Sequence, residues 1–161
     1  MKKQQFNFTY ELYDAVDDLD PKDAILLNAA RAVTKDAYAP YSHFRVGAAA
    51  ILENGAFVSG TNQENASFPA GICAERVLMS AASSLYPGVP IDTMAISYDN
   101  ENGPSNTPIS PCGICRQSLQ EYQQRTGSPI RLILSGQQGK VYIIPESQAL
   151  LPLAFTGDEL Q

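Results

Sequence analysis

The sequence predicts an α/β domain of three layers, with helices covering a mixed five-stranded sheet. Three observations predict it. Segments with strand-like patterning interleave with segments of helical spacing. Hairpin signals towards both ends of the chain make neighbouring strands antiparallel. The middle strands are joined by helical crossovers, which makes them parallel.

Phe6, Phe8, Tyr10 and Leu12 alternate with polar residues, a period-2 strand pattern in a segment, residues 1–20, that reads as an extension: an edge strand or an arm onto a partner. Residues 21–161 then form one domain. Asp20 is a good N-cap and Pro21 a good first helical residue, so Ile25, Leu26, Ala29, Ala30 and Val33 mark a helix over 21–37. Phe44 to Leu52 reads as a buried strand, Glu53-Asn54-Gly55 as a hairpin turn, and Ala56 to Thr61 as the return strand. Cys73 to Leu85 is a helix with Val77, Leu78, Ala81, Ala82 and Leu85 on one face, closed by Tyr86-Pro87-Gly88. Ile91 to Tyr98 is a strand and residues 99–108 a loop. Cys112 to Thr126 is a helix stopped by Gly127. Ile130–Leu134 and Val141–Ile144 form a hairpin, followed by a short helix over 145–151 and a polar tail.

Composition removes several functions. With 44% hydrophobic and 17% charged residues, the 161-residue chain can bury a core. No stretch reaches the roughly 20 apolar residues of a membrane helix, and no apolar signal core follows Met1-Lys2-Lys3, so a cytoplasmic protein without a membrane partner is expected. Eleven basic against 17 acidic residues give a net charge of -6, and the basic residues are scattered. A nucleic-acid partner, which needs clustered Lys and Arg, is not expected.

Three cysteines, Cys73, Cys112 and Cys115, point to metal or catalysis rather than to a disulfide framework. Each key segment, Cys73-Ala74-Glu75-Arg76 and Pro111-Cys112-Gly113-Ile114-Cys115, places cysteine at a helix start, where free N–H groups favour thiolate. Cys112 and Cys115 can chelate one ion from a single turn, and Cys73 adds a third ligand from the other helix. Three ligands leave a zinc ion one open position, the mark of a catalytic site. Glu75, in the first turn beside Cys73, is placed to shuttle a proton without ligating. His43 bears no spacing relation to the cysteines and is given no role. Taken singly, Glu75 is an ordinary helix-start acid and Cys112-Gly113-Ile114-Cys115 a redox pair or half a structural site. Together, Cys-x-Glu and Pro-Cys-x-x-Cys form the zinc deaminase signature.

Beyond these motifs, the sequence resembles the small, three-cysteine cytidine deaminases. The resemblance rests on Ala39 to Ala48, Asn62 to Phe68, Cys73 to Arg76, Ser110 to Gln117 and Leu150 to Phe155. It implies deamination of free cytidine and deoxycytidine in pyrimidine salvage, one Zn²⁺ per chain held by Cys73, Cys112 and Cys115, and Glu75 as proton carrier. It further implies that Asn62 and Glu64 hold the ribose hydroxyls, that Phe44 and Ala74 line the nucleoside pocket, and that the Ser110 carbonyl accepts the exocyclic amine. Phe155 resembles the aromatic inserted into a neighbouring subunit's site of a homotetramer. Arg76, donating to the cysteine sulfurs, would draw charge from a three-thiolate site of net charge -1. The family pattern departs at Gln63, where an apolar residue is usual, in the long loop 99–108 and in residues 1–20. Two other functions remain open: a deaminase of another aminocytosine such as blasticidin S, and a zinc-stabilised binding protein without activity. Retention of Glu75, unnecessary in a structural site, argues against the second.

Overall fold

Asp20 begins the first helix as its residue type asks: its carboxylate accepts from the Lys22 amide at 2.9 Å, and Pro21 occupies the first turn, where a missing N–H costs nothing. In a computed structural model, which describes residues 1–160 apart from the Glu159 side chain, that helix is the first of three. The order is β1 (Glu11–Tyr13), α1 (Pro21–Val33), β2 (Phe44–Leu52), β3 (Phe57–Thr61), α2 (Ala74–Leu85), β4 (Ile91–Asn100), α3 (Gly113–Thr126), β5 (Arg131–Ser135) and β6 (Val141–Ile144). The helix expected over 21–37 ends earlier, passing into a 3-10 turn at Thr34–Asp36. The short helix near 145–151 is a 3-10 turn, Ser147–Leu150, and the polar tail carries another, Gly157–Leu160.

The sheet runs β1-β6-β5-β4-β2-β3 and has six strands, not five. The sixth is part of the N-terminal segment: Glu11, Leu12 and Tyr13 pair antiparallel with Ile143, Tyr142 and Val141 of β6. The alternation in sequence starts at Phe6, yet only three residues form a ladder, because β6 is four residues long and is followed by Pro145, which has no N–H to extend it. Phe6, Phe8 and Tyr10 continue outward as tilted ring pairs ending on Tyr142, 5.0 Å from Tyr10. As expected, the strands linked by helical crossovers run parallel. β4 and β5 are direct neighbours, while β3 and β4 share a direction across the intervening β2.

The core is two clusters, one on each face of the sheet. Leu26, Leu27 and Ala30 of α1 cover Ala49, Ala95, Ile133 and Ile143. Leu78, Met79 and Ala82 of α2, with Leu119 and Tyr122 of α3, cover Ala48, Ala50, Met94, Ile96 and Leu132. Alternate residues of one strand feed opposite faces, which is why Ala49 parts company with Ala48 and Ala50. Complete burial of a side chain such as Leu78 contributes about 1.5–3 kcal/mol.

Two features of this packing position the site. α2 follows β3 and α3 follows β4; since these strands share a direction, both helices begin at the same end of the sheet, where open α/β sheets place their ligands. In addition, α2 lies hard against β3 at Gly60, where a Cβ would stand 2.5 Å from the Leu78 nitrogen and 2.7 Å from the Ala74 carbonyl. Glycine there sets the height of α2, and with it Cys73, above the sheet.

Candidate metal centre and substrate cleft

Cys73 is the N-cap residue of α2, Cys112 that of α3, and Cys115 lies in the first turn of α3. Shared strand direction brings the two helix starts together, and the three sulfurs lie within 4.8 Å of one another. Cys73 Sγ is 3.8 Å from Cys112 Sγ, which is 3.6 Å from Cys115 Sγ. Tetrahedral zinc–thiolate bonds of about 2.3 Å require sulfurs about 3.8 Å apart, so the spacing fits the ion. The electrostatics agree. Hydrogen bonding from Cys115 pulls the Cys73 thiol down to about 6, while the bond to Cys73 and then burial push Cys115 up. Three thiols this close cannot all ionise without a cation between them.

Glu75 follows Cys73 by two residues on α2 and is 5% exposed. Burial pushes its carboxyl above the usual carboxylate range, opposed by its own backbone amide and by Cys115. A buried carboxyl beside a metal set and raised towards neutrality has the character of a general acid–base.

A cleft of about 500 Å³ runs from Cys73 to Asn62 and Glu64, walled by Tyr41, Ser42, Phe68 and Ile72. Glu64 accepts from the amides of Tyr41 at 2.9 Å and Ser42 at 3.2 Å. The Ser42 hydroxyl, and then these amides, hold its carboxyl below the usual range, so it is an anion at neutral pH. Asn62 spans the start of β2, accepting from the Val46 amide at 2.7 Å and donating to the Phe44 carbonyl at 2.9 Å. One amide hydrogen of Asn62 is left over for a ligand, and the Glu64 carboxylate, with about four acceptor sites, keeps capacity beyond these donors.

Phe44, Ala74, Ser110, Phe155 and Arg76 are not among the residues that line this cleft. Phe44, half-buried, stacks on Tyr98 with ring centroids 4.8 Å apart. Ala74 is fully buried in the core under Gly60. Ser110 is exposed just before Pro111. Phe155 does not line the cleft: 58% exposed, it borders a separate groove of about 680 Å³ between α2 and α3. Arg76 borders that groove too. Among the described residues it forms no hydrogen bond to a cysteine sulfur, although its charge helps to lower the Cys73 thiol.

Sequence reasoning passed over several contributors. Tyr41 and Phe68 form an edge-to-face pair, centroids 5.8 Å apart, on the cleft wall. Arg116 donates to the Pro111 carbonyl at 2.9 Å and the Leu150 carbonyl at 3.0 Å, fixing the approach to Cys112 against the C-terminal segment. Its position, one turn beyond Cys112, was the available signal. His43 and Arg45 both meet Glu101 of the long loop, a contact that no local pattern announces.

Residues 21–127 match the family model described as the cytidine and deoxycytidylate deaminase zinc-binding region. The chain is 35% identical over 136 residues, 84% of its length and 96% of the relative's, to a cytidine deaminase of Halalkalibacterium halodurans. It is 33% identical to a cytidine deaminase of Sporosarcina psychrophila over 84% of this chain and 92% of that one. Among solved structures, the cytidine deaminase of Burkholderia pseudomallei superposes with a TM-score of 0.70 at 37% identity, covering 81% of this chain and 97% of the other. That of Mycobacterium tuberculosis gives 0.63 at 29% identity, covering 86% and 99%.

Proposed function

This chain belongs to the cytidine and deoxycytidylate deaminase family, and from that premise we propose that it hydrolyses free cytidine and deoxycytidine to uridine and deoxyuridine, releasing ammonia. The observation that carries the proposal is one continuous cleft. It joins the Cys73 end of the three-sulfur set, with Glu75 two residues further on, to an ionised Glu64 suited to sugar hydroxyls.

Cys73, Cys112 and Cys115 would hold one zinc ion per chain, which when bound supplies the Lewis acidity that makes water a nucleophile near neutral pH. Glu75 takes the proton that water gives up and carries it to N3 of the pyrimidine as the water oxygen bonds to C4. Glu75 then takes the second proton from the new C4 hydroxyl and passes it to the amine; the C4–N bond breaks as the C4 carbonyl forms, and ammonia leaves. A carboxyl raised by burial serves both directions of transfer, since it neither holds its proton as an alcohol would nor releases it as an exposed acid does. Glu64 and Asn62 orient the ribose with their remaining acceptor capacity and amide hydrogen, a charge-assisted contact on the Glu64 side. Phe44 and the backbone around Ala74 border the base, and the Ser110 carbonyl accepts from its amine. Arg76 acts on the thiolates through its charge. Phe155, absent from the cleft of its own chain, is free to complete that of a neighbour in a homotetramer. Pyrimidine salvage in the cytoplasm is the corresponding role. Among the described residues no helix is long and apolar enough to cross a membrane.

A spectrophotometric assay of the purified, zinc-loaded protein on cytidine, deoxycytidine and blasticidin S tests the reading. Loss of cytidine absorbance with release of ammonia supports it. Turnover of blasticidin S alone, or of none of the three, would refute it.

A further inference from the structure

The first residues of the loop between β4 and α3, Glu101 and Asn102, grip the wall of the cleft. The Glu101 amide donates to the His43 carbonyl at 3.0 Å, and Asn102 Nδ2 donates to the Ser42 carbonyl at 3.3 Å. One Glu101 carboxylate oxygen lies 3.1 Å from His43 Nδ1, and the other accepts from Arg45 Nε at 2.5 Å. Arg45 also donates to the Lys35 carbonyl at 3.1 Å, tying the cluster to the turn after α1. The loop behind these contacts is anchored. The Asn100 amide donates to Ser105 Oγ at 2.8 Å and the Gln138 amide to the Ser105 carbonyl at 3.2 Å. Gly136 lets the β5–β6 hairpin close on that carbonyl, which a Cβ would approach to 2.2 Å.

The turn so gripped is one that needs holding. His43 has φ of 56°, in the left-handed region that disfavours side chains, and the two amides just before it are the ones that donate to Glu64. If the turn relaxes, Glu64 loses both donors and its fixed orientation. We infer that Glu101 is a positioning residue for the sugar end of the cleft: by bridging His43 and Arg45 it locks the Tyr41–His43 turn in the conformation whose amides orient Glu64. This rests on the reading above, in which Glu64 receives the nucleoside's sugar; Glu101 itself touches no substrate. A lone exposed ion pair would contribute little. Here one carboxylate bridges two side chains around a strained turn, with two backbone carbonyls of that turn held by the same loop. The loop expected from residue 99 begins at Glu101, because Asp99 and Asn100 extend β4 in pairing with Arg45 and Phe44, and its length has its use in this reach.

Glu101→Ala and Glu101→Gln test the inference, read by hydrogen–deuterium exchange over residues 38–45 and by steady-state kinetics on cytidine. In Glu101→Ala the Tyr41 and Ser42 amides should exchange roughly tenfold faster. KM should rise about 5- to 20-fold with kcat within about twofold and zinc content unchanged. Glu101→Gln, which still offers an acceptor to Arg45, should remain within about threefold of the parent. In a Glu64→Gln background Glu101→Ala should add no further rise in KM, because the link it works through is gone. Unchanged exchange at Tyr41 and Ser42, or a loss of kcat at constant KM, would overturn the inference. A parent enzyme that leaves cytidine untouched refutes the substrate reading instead, and the exchange measurement then decides the positioning role by itself.

Discussion

Gly60→Ala is the substitution that most directly tests how the fold sets the metal site. The added Cβ would stand 2.5 Å from the Leu78 nitrogen and 2.7 Å from the Ala74 carbonyl, both backbone atoms that cannot rotate away. Reaching ordinary contact at 3.4 Å requires α2 to retreat by roughly 0.9 Å, in an interior packed as tightly as an organic crystal. Cys73 caps α2 and moves with it, while Cys112 and Cys115 stay with α3. Zinc sites tolerate departures of about 0.2 Å in ligand distance, so a shift of this size detaches or strains one ligand of three. Overpacking adds about 1–3 kcal/mol of destabilisation, and displacement of about 1 Å at a reacting centre costs on the order of 10²-fold in rate. The expected result is zinc lost to a chelator at concentrations the parent resists, a Tm lower by several degrees, and kcat/KM reduced about 100-fold. Parental zinc retention together with parental Tm would show that α2 does not set the site through Gly60.

Glu75→Gln keeps shape and should retain zinc while turnover falls about 10²–10⁴-fold; turnover within a few-fold of the parent would mean that another group carries the proton. The same variant carries a pH signature in metal-free protein. Because burial raises the Glu75 carboxyl in the folded state, the folded chain binds more protons than the unfolded one, and stability falls as pH rises above the ordinary carboxylate range. Metal-free Glu75→Gln should therefore melt higher than the parent at neutral pH and lose that advantage at acid pH, as differential scanning calorimetry would read. Cys112→Ala should bring zinc, measured by metal analysis, well below one per chain, and a full complement with intact activity would refute the three-sulfur site. Phe155→Ala should raise KM in an oligomeric enzyme, and light scattering that finds a fully active monomer would exclude a shared site. Cytidine monophosphate should show kcat/KM at least about tenfold below cytidine: among the described residues no Lys or Arg lines the cleft, Glu64 is an anion there, and Arg45 is engaged by Glu101. Equal efficiency at two salt concentrations would contradict this.

The chemistry was legible because it is local. Cys73 and Cys112 stand at helix starts, Cys115 one turn on and Glu75 beside Cys73, and those relations depend only on helical spacing. The sheet was legible almost strand for strand, since alternation and hairpin turns are short-range patterns. The N-terminal strand was overdrawn, because pairing depends on the partner edge that β6 supplies rather than on the alternation of Phe6 to Leu12. The expected bond from Arg76 to sulfur illustrates a further limit: spacing puts a residue on a helix turn, but the packing of α2 against α3 decides where a long side chain goes.

By itself, then, the sequence picked out the three cysteines, the neighbouring Glu75 and the layered α/β scheme, because each follows from residue type and from periods of two or 3.6 residues. Tertiary structure decided the rest. The common direction of β3 and β4 brings two helix starts 39 residues apart to a sulfur separation of 3.8 Å. The seating of α2 on Gly60 sets the height of one of them. The reach of the loop after β4 to His43 and Arg45 fixes the turn whose amides hold Glu64, a contact across 58 residues of chain. Such distances are fixed by how layers close on one another, and no local pattern encodes them.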